Sequence, residues 1–343
     1  MSNIERTQLL PYLARFALLF LAFPFLLQLA LLFGCSNTNN GELVFVKPDN
    51  SSSFNFPYFL YIPDNVATDE KVFILIESNN SGFADDDLQK HIEKAQRTAT
   101  RDFYLGNYVA RSLNIPLVVP VFPRTKTEWK IYTHALDRDV MMIKEEETER
   151  IDLQLLAMHT DARLRLQERN IDTHEKFLMT GFSASGTFAN RFALIHPGKV
   201  AAVAAGGVNG LLMLPVNSLD EADLIYPIGT GDFKELLNKE FQKELFLELP
   251  QLYFMGEVDF NDAIPFEDAF SQYEREIIFR FLGEDMHAER WSKCIEIYRE
   301  NKVNAIVKTF KGIGHEHPES IKEEVVDFFI RAISDGQIIY NIQ

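Results

Sequence analysis

Past residue 42 the chain alternates short, dense apolar runs with longer stretches in which apolar residues recur every three or four positions. The first pattern predicts buried strands and the second amphipathic helices. Residues 43–47 and 58–62 predict two strands of a hairpin or meander. Residues 72–77 and 115–122 predict two more, with 88–113 helical between them. A helix is expected around 152–169, where Leu155, Met158, Ala162 and Leu166 share one stripe. A short strand at 177–180 leads into a helix at 186–196, with Phe188, Phe192 and Ile195 on one face. Strands follow at 200–205 and 252–255, helices at 266–282 and 288–300, and a last strand at 305–310. Pro318 opens the final helix at a position where its missing N–H costs nothing. Ile321, Val325, Phe328 and Ala332 form that helix's buried stripe.

Strand–helix alternation over this length implies an α/β fold, a mostly parallel sheet with helices on both faces. Neither a GxGxxG after a strand nor a GxxxxGK[ST] is present, so nucleotide and dinucleotide binding lack their phosphate loop and no cofactor is implied. No Pro/Gly/Ser-rich linker and no repeat interrupts the chain past residue 55, and residues 42–343 read as one catalytic domain. Residues 207–249 form an insertion before the strand at 252–255. It carries Leu211, Leu212, Met213 and Leu214, then Leu224, Ile225 and Tyr226. It is expected either as a lid over the site or as a packed excursion.

The N-terminal region has a different pattern. Arg6 and Arg15 precede an apolar run over 16–33, and no charged side chain occurs from 16 to 41. A basic segment before an apolar one reads as an export signal. An 18-residue run is also at the lower limit for a membrane-spanning anchor. Leu32-Phe33-Gly34-Cys35 resembles the bacterial lipobox, which implies lipidation of Cys35, with residues 35–41 as a short tether. Either way the chain is expected at the cell envelope, attached to a membrane by its N-terminus.

The net charge of −16 argues against a nucleic-acid partner, because an acidic surface repels phosphate backbones. The acidic runs 85–87 and 145–147 are expected as solvated faces. The two cysteines, Cys35 and Cys294, belong to no CxxC pair, which excludes a thioredoxin-like motif and a structural zinc site. They form either one long-range disulfide or have separate fates.

The chemistry-bearing residues cluster in three segments. Gly181-Phe182-Ser183-Ala184-Ser185-Gly186 joins an apolar strand to an amphipathic helix. A serine at the tip of a sharp strand-to-helix turn needs small neighbours two residues either side. Ser183 has Gly181 two before it and Ser185 two after, so Ser183 is the expected nucleophile. Its hydroxyl needs a base. Of the eight histidines, His315 lies directly after the last strand, in Gly312-Ile313-Gly314-His315, with His317 as the fallback. The other six are expected as surface or cap residues, and a His315/His317 metal pair lacks a third ligand. The third segment, residues 256–262, ends a strand and offers Glu257, Asp259 and Asp262.

These segments together resemble the esterase branch of the α/β-hydrolase superfamily, and most nearly bacterial proteins grouped with polyhydroxybutyrate depolymerases and feruloyl esterases. The resemblance covers roughly residues 42–335 in element order. It implies a serine hydrolase that cleaves a small carboxylic ester through an acyl-enzyme, with the order Ser183, acid, His315. The family's Gly-x-x-Asp selects Asp259 as the acid, with Asp262 as rival. One oxyanion-hole N–H is implied at Ala184 and the other in the loop at 78–82, where Asn79 or Asn80 also offers a side-chain amide. Two departures stand out. Residues 78–80 replace the family's His-Gly pair, and Ser185 replaces a glycine. A peptidase for short peptides and a catalytically silent envelope lipoprotein are the alternatives, and no obligate protein partner is implied.

Overall fold

The computed structural model describes residues 41–48, 51–79 and 82–334. The strands among them are β1 (Gly41–Val46), β2 (Tyr58–Pro63), β3 (Leu75–Glu77), β4 (Leu117–Pro120), β5 (Phe177–Phe182), β6 (Val200–Gly206), β7 (Ser218–Leu219), β8 (Ala222–Asp223), β9 (Gln251–Gly256) and β10 (Ala305–Phe310). Eight of them form one sheet in the order β1-β2-β4-β3-β5-β6-β9-β10, while β7 and β8 make a separate small ribbon. Strand β2 pairs antiparallel with β1 and β4. All the other neighbours in the large sheet are parallel.

The strands explain the architecture. Every residue of β2, β4, β5 and β9 is buried. A strand rich in Val, Leu, Phe and Tyr is buried throughout only when both faces of its sheet are covered. The covering helices are α1 (Leu88–Thr100), α2 (Leu105–Leu113), α3 (Arg138–Met142), α4 (Ile151–Gln167), α5 (Ala184–Ile195), α6 (Phe233–Leu237), α7 (Lys243–Glu248), α8 (Gln272–Phe281), α9 (Ser292–Glu300) and α10 (Glu319–Ser334). Helix α5 packs on β5 and β6, and α10 packs on α2 and β6.

Several expectations shift in detail. The helical stretch predicted over 88–113 breaks after Thr100, where Arg101 turns extended and closes α1 with its own N–H. The strand predicted from 72 is regular only from Leu75, and Val72 makes an isolated bridge to Thr173. Helix α8 starts at Gln272 rather than 266, because Ser271 and Glu274 form a reciprocal cap. The acidic run 85–87 is a solvated face only in part, with Asp86 and Asp87 exposed. Asp85 is buried and accepts from Lys90 at 2.9 Å and Lys126 at 3.0 Å. Asp86 takes the backbone N–H groups of Lys126 and Thr127, and Asp87 caps α1.

Most apolar residues of 207–249 pack inward, although Leu245 is exposed. Leu212, Leu214, Leu224 and Tyr226 are fully covered. The Met213 N–H donates to Asn190 at 2.8 Å, and the Tyr298 hydroxyl donates to the Met213 carbonyl at 2.9 Å. Cys294, buried and not in a disulfide, lies against the same stretch at Gly210 and Leu212. Cys35 and the apolar run before it lie outside the described residues. Among the described residues no helix is long and apolar enough to cross a membrane.

Candidate active site

The carboxyl ends of β3, β5, β6, β9 and β10 converge on one edge of the sheet, where open α/β sheets build their sites. The loop after β5 is the sharpest. Ser183 has φ 61° and ψ −128°, a conformation that strains a residue with a side chain by about 1–3 kcal/mol. Its neighbours make the turn possible. A Cβ on Gly181 would lie 2.3 Å from the Ser185 carbonyl oxygen. A Cβ on Gly186 would lie 2.3 Å from the Gly206 carbonyl oxygen, so α5 can seat closely against β6 only without one. The Ser183 N–H donates to that same Gly206 carbonyl at 2.9 Å. Ser183 remains partly exposed, whereas Ser185 is fully buried.

Ser185 has its own task. The Phe182 N–H donates to Ser185 Oγ at 2.9 Å, and Oγ donates back to the Phe182 carbonyl at 3.0 Å. The serine that replaces the family's glycine therefore clamps the residue before Ser183. The motif's spacing marked Ser185 as small but carried no signal for this clamp.

The loops after β9 and β10 are fastened together. Glu257 N–H donates to Phe310 and Val258 N–H to Ile313, each at 2.9 Å. Glu257 Oε2 accepts from Gly312 N–H at 2.9 Å, so Glu257 ties the loops rather than facing an imidazole. A Cβ on Gly256 would stand 2.2 Å from the Ile313 carbonyl oxygen, which makes glycine necessary there. This fastening brings Asp259 against His315, with Nδ1 and Oδ2 2.8 Å apart. Asp259 is almost wholly buried, and its Oδ1 accepts the Asn261 N–H at 2.9 Å. With the carboxylate as acceptor, the imidazole hydrogen sits on Nδ1 and the lone pair on Nε2.

His315 stands over the turn that carries Ser183. Its ring centre is 4.8 Å from that of Phe182, and a Cβ on Gly207 would lie 3.0 Å from its Cε1. His317 packs edge-on to Phe182 at 4.7 Å, is buried, and has its imidazole pushed down to about 4 by that burial. Asp262 is turned away from the imidazole and pairs with Arg290, whose guanidinium is fully buried.

An Asp–His pair alone does not mark a site. His196 also meets a buried carboxylate, Asp152, at 2.8 Å. It sits just past the far end of the 12-residue α5, roughly 18 Å from the end that carries Ser183. Of the histidines expected as surface or cap residues, His91, His134 and His159 are instead buried, while His196 is the C-cap of α5 and is buried there. His287 was also expected only as a surface or cap residue. It donates from Nε2 to the Asp259 carbonyl at 2.6 Å, a bond that helps to hold the acid's backbone.

Ala184 is the first residue of α5, so its N–H opens the helix beside Ser183, where a developing negative charge is favoured. Asn79 is fully buried, and its side-chain amide points to the Phe122 carbonyl at 3.2 Å and to His134 at 3.3 Å. Asn80 lies outside the described residues.

No protein-family model and no curated protein matches the chain. Solved structures do. Poly(aspartic acid) hydrolase-1 from Sphingomonas sp. KT-1 is 14% identical, with a TM-score of 0.55 over 85% of this chain and 98% of that one. The poly(3-hydroxybutyrate) depolymerase from Bordetella parapertussis is 16% identical, with a TM-score of 0.50 over 88% of this chain and 92% of that one. At such identities the likeness is one of fold. Together with the strand order, it establishes the α/β-hydrolase fold expected from the sequence.

Proposed function

We propose that this α/β-hydrolase-fold protein is a serine hydrolase that cleaves carboxylic esters through an acyl-enzyme, with Ser183 as nucleophile, His315 as base and Asp259 as acid. The observation that carries the reading is the 2.8 Å Asp259–His315 contact held above the strained turn of Ser183. In this reading Ser183 Oγ attacks the ester carbonyl carbon as His315 Nε2 takes its proton. The carbonyl oxygen becomes an oxyanion facing the Ala184 N–H and a backbone N–H from the loop at 78–82. The imidazolium returns the proton to the departing alcohol. Water then adds to the acyl-enzyme by the same route and releases the acid and free Ser183. Asp259 keeps the proton on Nδ1 and offsets the imidazolium charge.

Exposed apolar side chains around this edge support an ester with an apolar portion. Val258 and Phe260, on either side of Asp259, are 42% and 86% exposed. Phe103, 64% exposed, stands 5.6 Å from the His317 ring. The apolar run ahead of Cys35 supports attachment of this domain to a membrane by its N-terminus. A panel of p-nitrophenyl acyl esters and aminoacyl p-nitroanilides tests the chemistry. Ester cleavage that rises from acetyl to medium acyl chains is expected. Cleavage of the anilides alone would replace the esterase reading with a peptidase, and cleavage of neither would favour a silent envelope protein.

A further inference from the structure

Arg124, four residues past the end of β4, is almost wholly buried, and its guanidinium binds three separate places in the chain. Nη1 donates to the Gly82 carbonyl at 2.8 Å. Nη2 donates to the Trp129 carbonyl at 2.7 Å and to Asp268 Oδ2 at 2.8 Å. The guanidinium carbon stands 3.7 Å from the centre of the Tyr132 ring, which covers it. A planar fork with donors at fixed angles sets the relative position of its acceptors in a way that a single ammonium cannot.

Gly82 belongs to the loop after β3, from which the proposed mechanism draws an oxyanion N–H. Asn79, near the start of that loop, donates its side-chain amide to the Phe122 carbonyl at 3.2 Å. Just past its end, the Asp85 N–H donates to the Arg124 carbonyl at 2.9 Å. Both ends of the loop are therefore tied to residues 122–124. Asp268 belongs to the loop after β9, which also carries Asp259 and Asn261. In the sheet β3, β5 and β6 stand between β4 and β9. Four strand spacings are roughly 19 Å, so the chain that starts beside His315 runs back across the catalytic edge to reach Arg124. Lys130 and Glu267 join the same two loops at 3.0 Å, but both are exposed, and such a pair contributes little.

We propose that Arg124 is a positioning residue that sets the oxyanion-binding loop against the acid-bearing loop, with Asp268 as its anchor. This deepens the serine-hydrolase reading and rests on it. Arg124 acts through the Gly82 carbonyl, and Asp268 acts through Arg124. Negative charge develops on the substrate oxygen only as Ser183 attacks, and a donor displaced from that oxygen stabilises it less. Loosening the guanidinium therefore weakens the transition state more than substrate binding, which lowers kcat and spares KM.

The test compares wild type, Arg124→Gln, Asp268→Ala, Asp268→Asn and Glu267→Gln as full chains. Each is assayed with the substrate of the panel that wild type cleaves fastest. Each is also titrated with an alkyl trifluoromethyl ketone, whose adduct with a serine carries an oxyanion. Arg124→Gln should lose roughly 10–100-fold in kcat with KM within about twofold, and Ki for the ketone should rise by a similar factor. Asp268→Ala should show the same split at roughly 3–10-fold, the worth of one hydrogen bond. Asp268→Asn keeps an acceptor oxygen for Nη2 and should recover most of that loss, while Glu267→Gln should match wild type. Amide exchange at Asp85 should quicken in Arg124→Gln and Asp268→Ala, which reads the loop without any activity. Asp268 is 26% exposed, so its two variants decide the matter if Arg124→Gln does not fold. A lower thermal midpoint in Asp268→Ala with kcat, Ki and Asp85 exchange unchanged would make the contact one of stability alone and overturn the proposal. Equal losses in Asp268→Ala and Glu267→Gln would overturn it too, since loop charge rather than Arg124 would then be at work. A wild type that resists the ketone and cleaves nothing in the panel would sink the serine-hydrolase reading, and the positioning role with it, even if Asp85 exchange responds.

Discussion

The side-chain amide of Asn261 lies 3.2 Å from Nε2 of His315, the ring nitrogen opposite the one that meets Asp259. With the ring hydrogen on Nδ1, Asn261 donates to the lone pair that Ser183 would use. The same residue's backbone N–H holds Asp259 Oδ1, so one residue fixes the acid and occupies the base. Removing the amide should free the base. Asn261→Ala is therefore expected to label roughly 3–10-fold faster with a small fluorophosphonate, by the worth of one hydrogen bond. A drop in labelling would instead place Asn261 among the groups that assist attack.

Ser183 and Ser185 are two residues apart yet stand in opposite environments, one partly exposed on a strained turn and the other fully buried as its clamp. Ser183→Ala should abolish labelling while leaving the fold intact. His315→Ala should lose turnover by roughly 10⁴–10⁶, and the double variant little more, since nucleophile and base act as one unit. Ser185→Ala should still label at Ser183, as shown by peptide mapping of the modified residue. A label found on Ser185 would shift the whole site by two residues.

Attachment is testable separately from chemistry. Wild type is expected to incorporate a fatty-acid analogue, and Cys35→Ser to lose both the label and membrane fractionation. A protein that fractionates with membranes without incorporating the analogue would favour a spanning anchor over lipidation. The buried Cys294 has its thiol pushed up to about 12 by burial, so Cys294→Ser should not alter incorporation.

Much of this site was legible because its determinants are local. Gly181, Gly186 and Gly256 are required by contacts within one turn, with the neighbouring strand and with an adjoining loop respectively, and such contacts recur as a spacing pattern. Strand β10 fell at its predicted limits because its apolar run is bounded by a charged loop on one side and Lys311-Gly312 on the other. The capping box at Ser271 and Glu274 was visible as S-x-x-E and would have placed the start of α8. What was hidden depends on long-range packing. Glu77 read as a polar strand end, and its burial depends on α2 arriving 29 residues later. The apolar runs of 207–249 carried no sign of facing Asn190 and Tyr298 rather than open solvent. The inward turn of Asn79 needs Phe122 and His134, which a reading of the local loop cannot supply.

The choice between Asp259 and Asp262 makes the sharpest separation of chemistry from stability. Asp259 meets His315, whereas Asp262 meets the fully buried guanidinium of Arg290. Arg290 also donates to the Glu284 carbonyl at 2.6 Å, so it anchors the segment that leads into the wide turn Met286–Trp291. That turn carries His287, which supports the Asp259 backbone. Asp262→Asn leaves a buried positive charge without its partner and should cost about 2–3 kcal/mol, less than a fully enclosed pair because Asp262 is 22% exposed. For a domain of this size that lowers the unfolding midpoint by roughly 4–10 °C. Probe labelling well below that midpoint should change by less than about threefold, since the His315 contact survives. Asp259→Asn should do the reverse, with a small thermal shift and a fall in turnover of up to about 10⁴ as the imidazole loses its preferred tautomer. Calorimetry and labelling on the same two preparations decide the matter. If Asp262→Asn loses labelling at full stability while Asp259→Asn retains it, the acid has been assigned to the wrong carboxylate.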